Sequence, residues 1–440
     1  MEQVGACVDL ESMHIESSRI NTLLRWCEYA YVVVLLFTLT QGPVLSIWFA
    51  SSLVAPDGAV SAQLLTFIAV QIPALILLGY RRVPRSSLFG PVGLLGLFCG
   101  WMWLSTLWAT FGQHTIVEAT TLCVTFLSGV YLARSFSLLE QLILVVVAMQ
   151  PGLLWSRYAI ANNWSNSVDQ NGNWVGIYFN RNSLAPVAMV SCLAASALLW
   201  IVVMRRGKAW PIALIAVLID ATLFGAVMLF HSRSNTSVGG AVVFAAVWAF
   251  WTVVRSLVRR ERITGKSLKR FVYPAFVFGA TVLTWATVRL QSVVLSFFGE
   301  TIDFNGRSAI WHYSWTGFLD RPLIGWGWLS AWRTPPFLHR DLWWSFINTG
   351  WSHSGYMDIL LGGGFIAAVL FVGASLWGGY RHLSTVTKQT AAQWTPALMF
   401  FVLATATQES FFVGNHFLWL LFVAAVAGTL AAVNSAQPES

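Results

Sequence analysis

Charged residues are scarce in this chain of 440 amino acids. Asp, Glu, Lys and Arg make up 10% of it, whereas 57% is hydrophobic and the mean hydropathy is +0.66. A soluble domain carries about 25% charged residues, so too few remain here to cover a water-facing surface. Apolar runs of about 20 residues recur instead, the length that a helix needs to cross the hydrocarbon of a bilayer. We therefore expect an all-α, polytopic membrane protein.

About twelve transmembrane helices are predicted, with both termini on one side. The predicted spans are 28–53, 60–80, 88–109, 115–133, 139–161, 181–204, 211–230, 237–257, 271–289, 354–378, 395–408 and 415–433. Basic residues gather in alternate loops, notably 81–85, 205–208 and 255–270, which the positive-inside rule makes cytoplasmic. Because these loops are short, nucleic-acid binding is disfavoured. Residues 1–440 are expected to form a single integral-membrane domain with cytoplasmic termini.

Several sequence patterns that mark particular chemistries are missing. The five cysteines form no CxxC pair, and none falls in a predicted exported loop, so neither a zinc site nor a structural disulfide is expected. No Asp-x-Asp pair occurs, which argues against a metal-held nucleotide-sugar donor. No cofactor motif, internal repeat or cleavable signal peptide is visible. We expect a site without metal or cofactor.

Two predicted exported segments are unusual. Residues 162–180 are rich in Asn, Gly and Trp, and residues 291–352 form a connection of about 60 residues between predicted helices 9 and 10. Ordinary connections are far shorter, and we expect this one to be partly helical. It holds Trp311, Trp315, Trp326, Trp328, Trp332, Trp343, Trp344 and Trp351. Tryptophan favours the membrane interface, and its face also stacks on sugar rings; the sequence leaves both readings open.

The few polar residues near exported helix ends are candidates for function. Arg233 lies between two serines in a loop, and Arg307, Trp311 and Trp315 share one face of a predicted helix. A guanidinium there can snorkel to the interface, or it can face a cavity and grip a phosphate with two hydrogen bonds. His353 opens a predicted helix, whose N-terminus disfavours extra positive charge and attracts phosphate. A neutral imidazole that can accept a proton is therefore expected.

Three further polar features give weaker signals. Arg181, at the outer end of a helix, either snorkels or adds charge for a phosphate ligand. Asp220 lies in the middle of a helix, where a charge is costly and often functional; hydrogen bonding inside the bundle is the alternative. The turn signature from Asp320 to Gly327 should end the helix that begins near Arg307.

The order of these motifs resembles the O-antigen ligases and the related bacterial polysaccharide polymerases. The resemblance covers roughly Trp101 to Phe422. Its motifs are Gly176 to Asn182, Ser232-Arg233-Ser234, Gly306-Arg307-Ser308 to Trp311, Arg321-Pro322-Leu323 with Gly325 and Gly327, and His353-Ser354-Gly355-Tyr356 to Gly364. The family often has His-Asn where this chain has His353-Ser354, and a glutamate where it has Gly362.

The resemblance implies a bacterial inner-membrane glycosyltransferase whose active site faces the periplasm. Such an enzyme takes a glycan from undecaprenyl diphosphate and transfers it to lipid A–core in the ligases, or to another glycan chain in the polymerases. The family's essential arginines match Arg233 and Arg307, and its essential histidine matches His353. The implied partners are the lipid-linked donor, the glycan or lipid A–core acceptor and the bilayer, with no nucleic acid.

These residues suggest a mechanism. Arg233 and Arg307, helped by Arg181, would bind the donor diphosphate, while His353 deprotonates or orients the acceptor hydroxyl in a direct displacement that inverts the anomeric carbon. Possible supporting residues are Asn182, Trp311, Arg321, Tyr356 and Glu409. A retaining route would need a nucleophilic carboxylate, and its candidates are Asp303, Asp320, Asp358 and Glu409.

Two questions stay open at this level. Ligase and polymerase share the motifs, so the acceptor is not specified. A lipid-linked sugar transporter or flippase is the alternative function, since it would also have twelve helices and cationic cavity residues. It should, however, show repeat symmetry and charges deep in the membrane, whereas the candidate charges here gather at one face.

Overall fold

The computed structural model describes residues 22–44, 59–80, 89–178, 180–204, 211–297, 307–333, 350–386, 391–412 and 416–434. Within these residues the chain consists of helices and connecting turns, with a single isolated bridge between Val168 and Trp174. The prediction of an all-α, polytopic membrane protein is confirmed. Four residues singled out from the sequence lie outside the described residues: Asp303, Gly306, Trp343 and Trp344.

A helix occupies all or part of each predicted span. The helices are α1 (Thr22–Leu39), α2 (Ala59–Tyr80), α3 (Pro91–Leu104), α4 (Gly112–Ser135), α5 (Leu138–Ala161), α6 (Arg181–Met204), α7 (Ile212–Ser232), α8 (Asn235–Arg259), α9 (Tyr273–Phe297), α10 (Arg307–Asp320), α11 (Gly355–Val386), α12 (Trp394–Thr405) and α13 (Phe417–Asn434). Seven of them, α1, α4 to α8 and α11, are long and apolar enough to cross a membrane, and shorter apolar stretches lie in α2, α3, α12 and α13. The predicted helix in the long connection is α10, and it ends at Asp320, where the turn signature begins.

The first helix begins earlier than predicted. It starts at Thr22 rather than near residue 28, and its described part ends at Leu39. Arg25 in its first turns pairs with Glu28 at 3.0 Å and with Glu140 at 2.8 Å. These ion pairs hold the polar turn against the start of α5, which explains why the helix extends beyond the apolar run.

A backbone break interrupts α11, which the sequence predicts as one continuous span. Gly364 has φ 67° and ψ −163°, outside the helical region. The turn after α10 forms backbone hydrogen bonds with this break: Trp326 N to Leu361 O (2.8 Å), Gly327 N to Gly362 O (2.9 Å) and Phe365 N to Pro322 O (2.7 Å). A Cβ on Gly364 would lie 2.3 Å from the carbonyl oxygen of Leu323. Only glycine permits this approach. The glycines near Gly364 therefore interrupt the helix and also allow the turn after α10 to pack against it.

An aromatic cluster packs the middle of α11 into the bundle. Its members come from α3, α11, α13 and the segment after α12: Phe98, Phe371, Phe412, Trp419 and Phe422. Phe371 and Phe412 have ring centroids 4.8 Å apart, and both side chains are buried. Because lipid tails are as apolar as the side chains, such van der Waals packing is what holds membrane helices together. The cluster holds Phe412, in the segment after α12, against the middle of α11.

Candidate active site

Three ionisable side chains from distant parts of the chain meet at the N-terminal end of α11. Arg307 donates from Nη2 to Oε1 of Glu409 at 2.6 Å and from Nη1 to the carbonyl of Gln408. The other carboxylate oxygen of Glu409 lies 3.6 Å from Nδ1 of His353. The side chains of Arg307, Glu409 and His353 are 12%, 10% and 22% exposed. The ion pair is therefore shielded from water, while the imidazole keeps part of its surface accessible.

The loop that carries His353 is held between α10 and α11. His353 has a left-handed backbone, with φ 50°. The carbonyl of Ser352 accepts a hydrogen bond from Nε1 of Trp311 at 3.1 Å, and its N–H donates to Oδ1 of Asp358 at 2.7 Å. The hydroxyls of Ser314 and Ser352 are 3.1 Å apart. These bonds from two helices fix the direction in which the imidazole points.

The segment after α12 supplies Glu409 and is tied to the same loop. The N–H of Gly355 donates to the carbonyls of Ala406 at 2.9 Å and Glu409 at 3.2 Å. The hydroxyl of Tyr356 donates to the carbonyl of Leu403 at 2.8 Å. Tyr356 therefore anchors α11 to α12, so the histidine and the glutamate keep a fixed backbone separation.

Arg233 lies on the neighbouring turn, between α7 and α8. Its backbone is left-handed, with φ 49° and ψ 34°, and its side chain is exposed. The hydroxyl of Ser234 donates to Oδ1 of Asn182 at 3.1 Å, and that of Thr236 donates to Oε1 of Gln408 at 2.9 Å. The turn thus joins the start of α6 to the segment after α12, and it presents an accessible guanidinium beside the site.

Arg181, the first residue of α6, has a carboxylate neighbour. Burial acts to raise the pKa of Asp169, but hydrogen bonds from Asn173 and Asn171 and the charge of Arg181 hold it below its ordinary value. The Nδ2 of Asn173 lies 2.8 Å from Oδ2 of Asp169. Part of the charge of Arg181 is thereby balanced within the chain, whereas Arg233 forms no ion pair among the described residues.

Arg321 lies apart from these residues. Its guanidinium covers the ring of Trp326 at 4.1 Å, a cation–π contact, and Nε1 of Trp326 donates to the carbonyl of Gly317 at 2.7 Å. None of the contacts described for Arg321 reaches Arg307 or His353. Arg321 stabilises the turn that pairs with the break in α11.

The tryptophans of the long connection divide into two groups. Trp326 and Trp328 are buried, so they are part of the packed protein and neither expected role applies to them. Trp315 and Trp351 are exposed and remain available to the membrane interface or to a sugar ring. The ring of Trp351 lies 5.9 Å from that of His353, which makes it the one closest in position to the candidate site among these four.

Three other polar residues make contacts or have surroundings separate from those of the cluster. Asp220 is exposed on α7, and no hydrogen bond inside the described bundle holds it. His231 stacks on Trp174 with ring centroids 4.0 Å apart. Nδ1 of His416 accepts a hydrogen bond from the N–H of Leu418 at 3.2 Å. None of these contacts involves Glu409.

Sequence reasoning gave no role to several residues that build the site. The carbonyl of Ser352 accepts a hydrogen bond from Trp311, and the hydroxyl of Thr236 donates to the side-chain oxygen of Gln408. No local sequence motif marks these residues. Asp358 does leave a signal, because a carboxylate in the first turn of a helix is favoured by the helix dipole. Its partner, the N–H of Ser352, emerges only from the folded loop.

One region of the chain matches a known protein family. Residues 221–372 match a family model described as O-antigen ligase. The match runs from α7 into α11, so it contains Arg233, Arg307 and His353, while Glu409 lies beyond it. A comparison with curated proteins gave no match. Residues 221–372 of the chain are thus similar to the O-antigen ligase family.

Proposed function

We propose that this protein transfers a glycan from undecaprenyl diphosphate to an acceptor hydroxyl at the periplasmic face of the bacterial inner membrane. The family supports glycan transfer of the ligase or polymerase type in general. The donor, the side of the membrane and the residue roles are our proposal. The acceptor is lipid A–core in a ligase or a second glycan chain in a polymerase.

The observation that carries the proposal is the meeting of Arg307, Glu409 and His353 at the start of α11. The side chain of Glu409 alone separates Arg307 from His353, and all three side chains are largely shielded from solvent. The exposed Arg233 lies on the neighbouring turn. Guanidinium groups suit a diphosphate, because they offer several donors and a permanent positive charge. An imidazole suits the removal of a proton from a hydroxyl.

The proposed reaction is a single displacement. The acceptor oxygen attacks the anomeric carbon and forms the new glycosidic bond, while the bond from that carbon to the diphosphate oxygen breaks and its electron pair leaves with the diphosphate. The acceptor proton passes to Nε2 of His353. Arg233 and Arg307 stabilise the charge that develops on the leaving group, with Arg181 contributing at longer range. The products are the extended glycan and the free lipid diphosphate.

The surroundings of the carboxylates favour this inverting route. A retaining reaction needs a carboxylate that can reach the sugar. Asp358 is buried, and its Oδ1 is held by the N–H of Ser352. Glu409 is bound to Arg307. Asp320 lies at the far end of α10, a whole helix away from Arg307. Among the described residues, each candidate carboxylate is thus buried, bound or remote, which supports His353 as the reacting group.

The proposed orientation follows from the charge of the loops. The cluster lies at the end of the bundle whose connections are poor in basic residues, and the basic loops join the other ends of the helices. The positive-inside rule then puts both termini in the cytoplasm and the site in the periplasm. We treat residues 1–440 as one membrane domain, with residues 291–352 as its long periplasmic segment.

A reconstitution tests the function. Purified full-length protein in detergent receives an undecaprenyl-diphosphate glycan and, in separate reactions, lipid A–core or a second lipid-linked glycan. The variants Arg233→Ala, Arg307→Ala and His353→Ala run beside the controls Arg333→Ala and His312→Ala, which change exposed residues of the same types on the long connection. We expect transfer by the parent and by the controls, and loss of transfer in the other three variants.

The productive acceptor decides between ligase and polymerase. Full activity of Arg307→Ala and Arg233→Ala, each normally inserted, would contradict the diphosphate roles. If the protein moves no glycan to either acceptor but carries the lipid-linked sugar across liposomes, the transporter alternative replaces the transferase.

A further inference from the structure

Glu409 stands between the residue proposed to bind the donor and the residue proposed to accept the proton. Its Oε1 lies 2.6 Å from Arg307, and its Oε2 lies 3.6 Å from Nδ1 of His353. The first distance is a strong, charge-assisted hydrogen bond, and the second is too long for one. Nδ1 of His353 has no hydrogen-bond partner among the described residues. The carboxylate is therefore engaged with the arginine and not yet with the histidine.

The surrounding backbone allows the side chain of Glu409 to move while its main chain stays fixed. The N–H of Gly355 binds the carbonyl of Glu409, and Arg307 also binds the carbonyl of the preceding residue. Closing the gap to His353 to about 2.8 Å, an ordinary charge-assisted distance, requires a shift of less than 1 Å. A small adjustment of the side-chain torsions within one rotamer provides a shift of this size.

A diphosphate competes directly with Glu409 for Arg307. The ligand carries more negative charge than one carboxylate and can accept two parallel hydrogen bonds from the guanidinium. Glu409 is only 10% exposed, and a buried carboxylate that loses its partner must find another. The Nδ1 of His353, which has no hydrogen-bond partner among the described residues, lies 3.6 Å from Oε2 and can become that partner.

We propose that Glu409 is a positioning residue that transfers its carboxylate from Arg307 to His353 when the donor diphosphate binds. The inference rests on the proposed function and deepens it. Once bound to Oε2, Nδ1 carries the hydrogen, so Nε2 holds the lone pair that accepts the acceptor proton, and the carboxylate stabilises the resulting imidazolium. His353 becomes an effective base only in the donor complex. Asp358 on α11 and Arg307 on α10 are the other charged groups that face this pair.

The test compares Glu409→Gln with the parent protein in the reconstituted transfer reaction. Glutamine keeps the shape but removes the charge that competes for Arg307 and the charge that supports an imidazolium. We expect kcat to fall about 100-fold, within the range of general-base effects, while the KM for the donor stays equal or falls. The acidic limb of the pH–rate profile should move, because the imidazolium loses its counter-ion. Glu118→Gln, a carboxylate of α4 without a described contact to this site, is the matched control.

A purely structural role gives a different result. If Glu409 only holds Arg307 in place, Glu409→Gln raises the donor KM and leaves kcat and the pH profile unchanged, and the proposal is overturned. Should Glu409→Gln fail to insert, Glu409→Asp replaces it, since it keeps the charge but is one methylene shorter. We then expect near-normal donor KM with reduced kcat, and an unchanged kcat would overturn the proposal. A parent protein that transfers no glycan indicates failure of the proposed function itself.

Discussion

The two ends of the helical bundle each hold a cluster of charges, and the clusters differ in how fully their hydrogen-bonding groups are used. Arg25 and Glu140 form the centre of one, where α1 meets the start of α5. Arg307 and Glu409 form the centre of the other, where α10 meets α11. The end of α4 contacts Arg25 and its start contacts the turn after α10, so about 36 Å of helix separates the two ends.

The Arg25 cluster is complete. Its guanidinium binds Glu28, Glu140 and the carbonyl of Ser135, and it lies over two aromatic rings. Glu140 also closes the capping box of α5 with Ser137. The charged groups of Arg25, Glu28 and Glu140 are all paired, which is the arrangement expected of a structural cluster.

The Arg307 cluster is incomplete. Nδ1 of His353 and Oδ2 of Asp358 lack hydrogen-bond partners among the described residues, and His353 and Arg233 both have left-handed backbones. Unsatisfied polar groups and strained backbone persist only where the surrounding structure holds them, and they concentrate at functional sites. We propose that similar ion pairs serve different ends in this protein: the Arg25 pair stabilises the fold, and the Arg307 pair takes part in the chemistry.

The largest effect should separate the two arginines. Arg307→Ala removes a positive charge that stabilises the proposed transition state. We expect kcat/KM for glycan transfer to fall by at least about 100-fold. Arg25→Ala should leave kcat/KM of the folded protein within about 2-fold of the parent, because the effects of substitutions at distant sites that share no partners are usually independent. Initial rates, normalised to the fraction that elutes as a single species from size exclusion, measure both. Equal losses of kcat/KM in the two variants would contradict the assignment of different roles to the two arginines.

The second effect concerns the backbone that supports the site. Gly364→Ala puts a side chain at φ 67° and 2.3 Å from a carbonyl oxygen, so we expect a loss of about 2–3 kcal/mol or more in stability. Gly100→Ala in α3 is the control, because a Cβ there meets nothing within 4 Å and alanine favours a helix. Thermal unfolding in detergent measures both. A tolerated Gly364→Ala would show that the break in α11 can relax.

The third effect tests the structural cluster. Glu140→Gln removes its ion pair and weakens the capping box of α5, but the side chains of Arg25 and Glu140 are about 30% exposed, so solvent already screens the pair. We expect a loss of about 1 kcal/mol, seen as a lower midpoint of thermal unfolding, with transfer unchanged in the folded protein. A drop in kcat without a drop in stability would instead assign this cluster a part in the reaction.

The smallest effect concerns the loop of His353. Trp311→Phe deletes the hydrogen bond to the carbonyl of Ser352, a loss of about 1 kcal/mol. We expect kcat to fall a few-fold because the imidazole is held less firmly. Trp315→Phe, on the exposed side of α10, should leave kcat unchanged in the same assay. If the two variants behave alike, the hydrogen bond does not position His353.

Much of the fold could be predicted because local composition determines it. Each apolar run must satisfy its backbone hydrogen bonds internally in lipid, and a helix does so without help from the rest of the chain. The break in α11 was missed, since the glycines near Gly364 fit a membrane helix equally well. Their effect depends on the turn after α10, which comes from more than 30 residues earlier in the chain.

The sequence by itself determined the fold class, and it singled out Arg233, Arg307 and His353 as candidate site residues, because a polar group that survives in an apolar chain has few roles open to it. It named Glu409 only as a supporting residue. The tertiary structure decided that Glu409 lies between Arg307 and His353, and that Arg321 does not join them. These side-chain contacts join residues about 50 to 100 positions apart over less than 4 Å. Only the packing of α10, α11 and the segment after α12 could place these groups together.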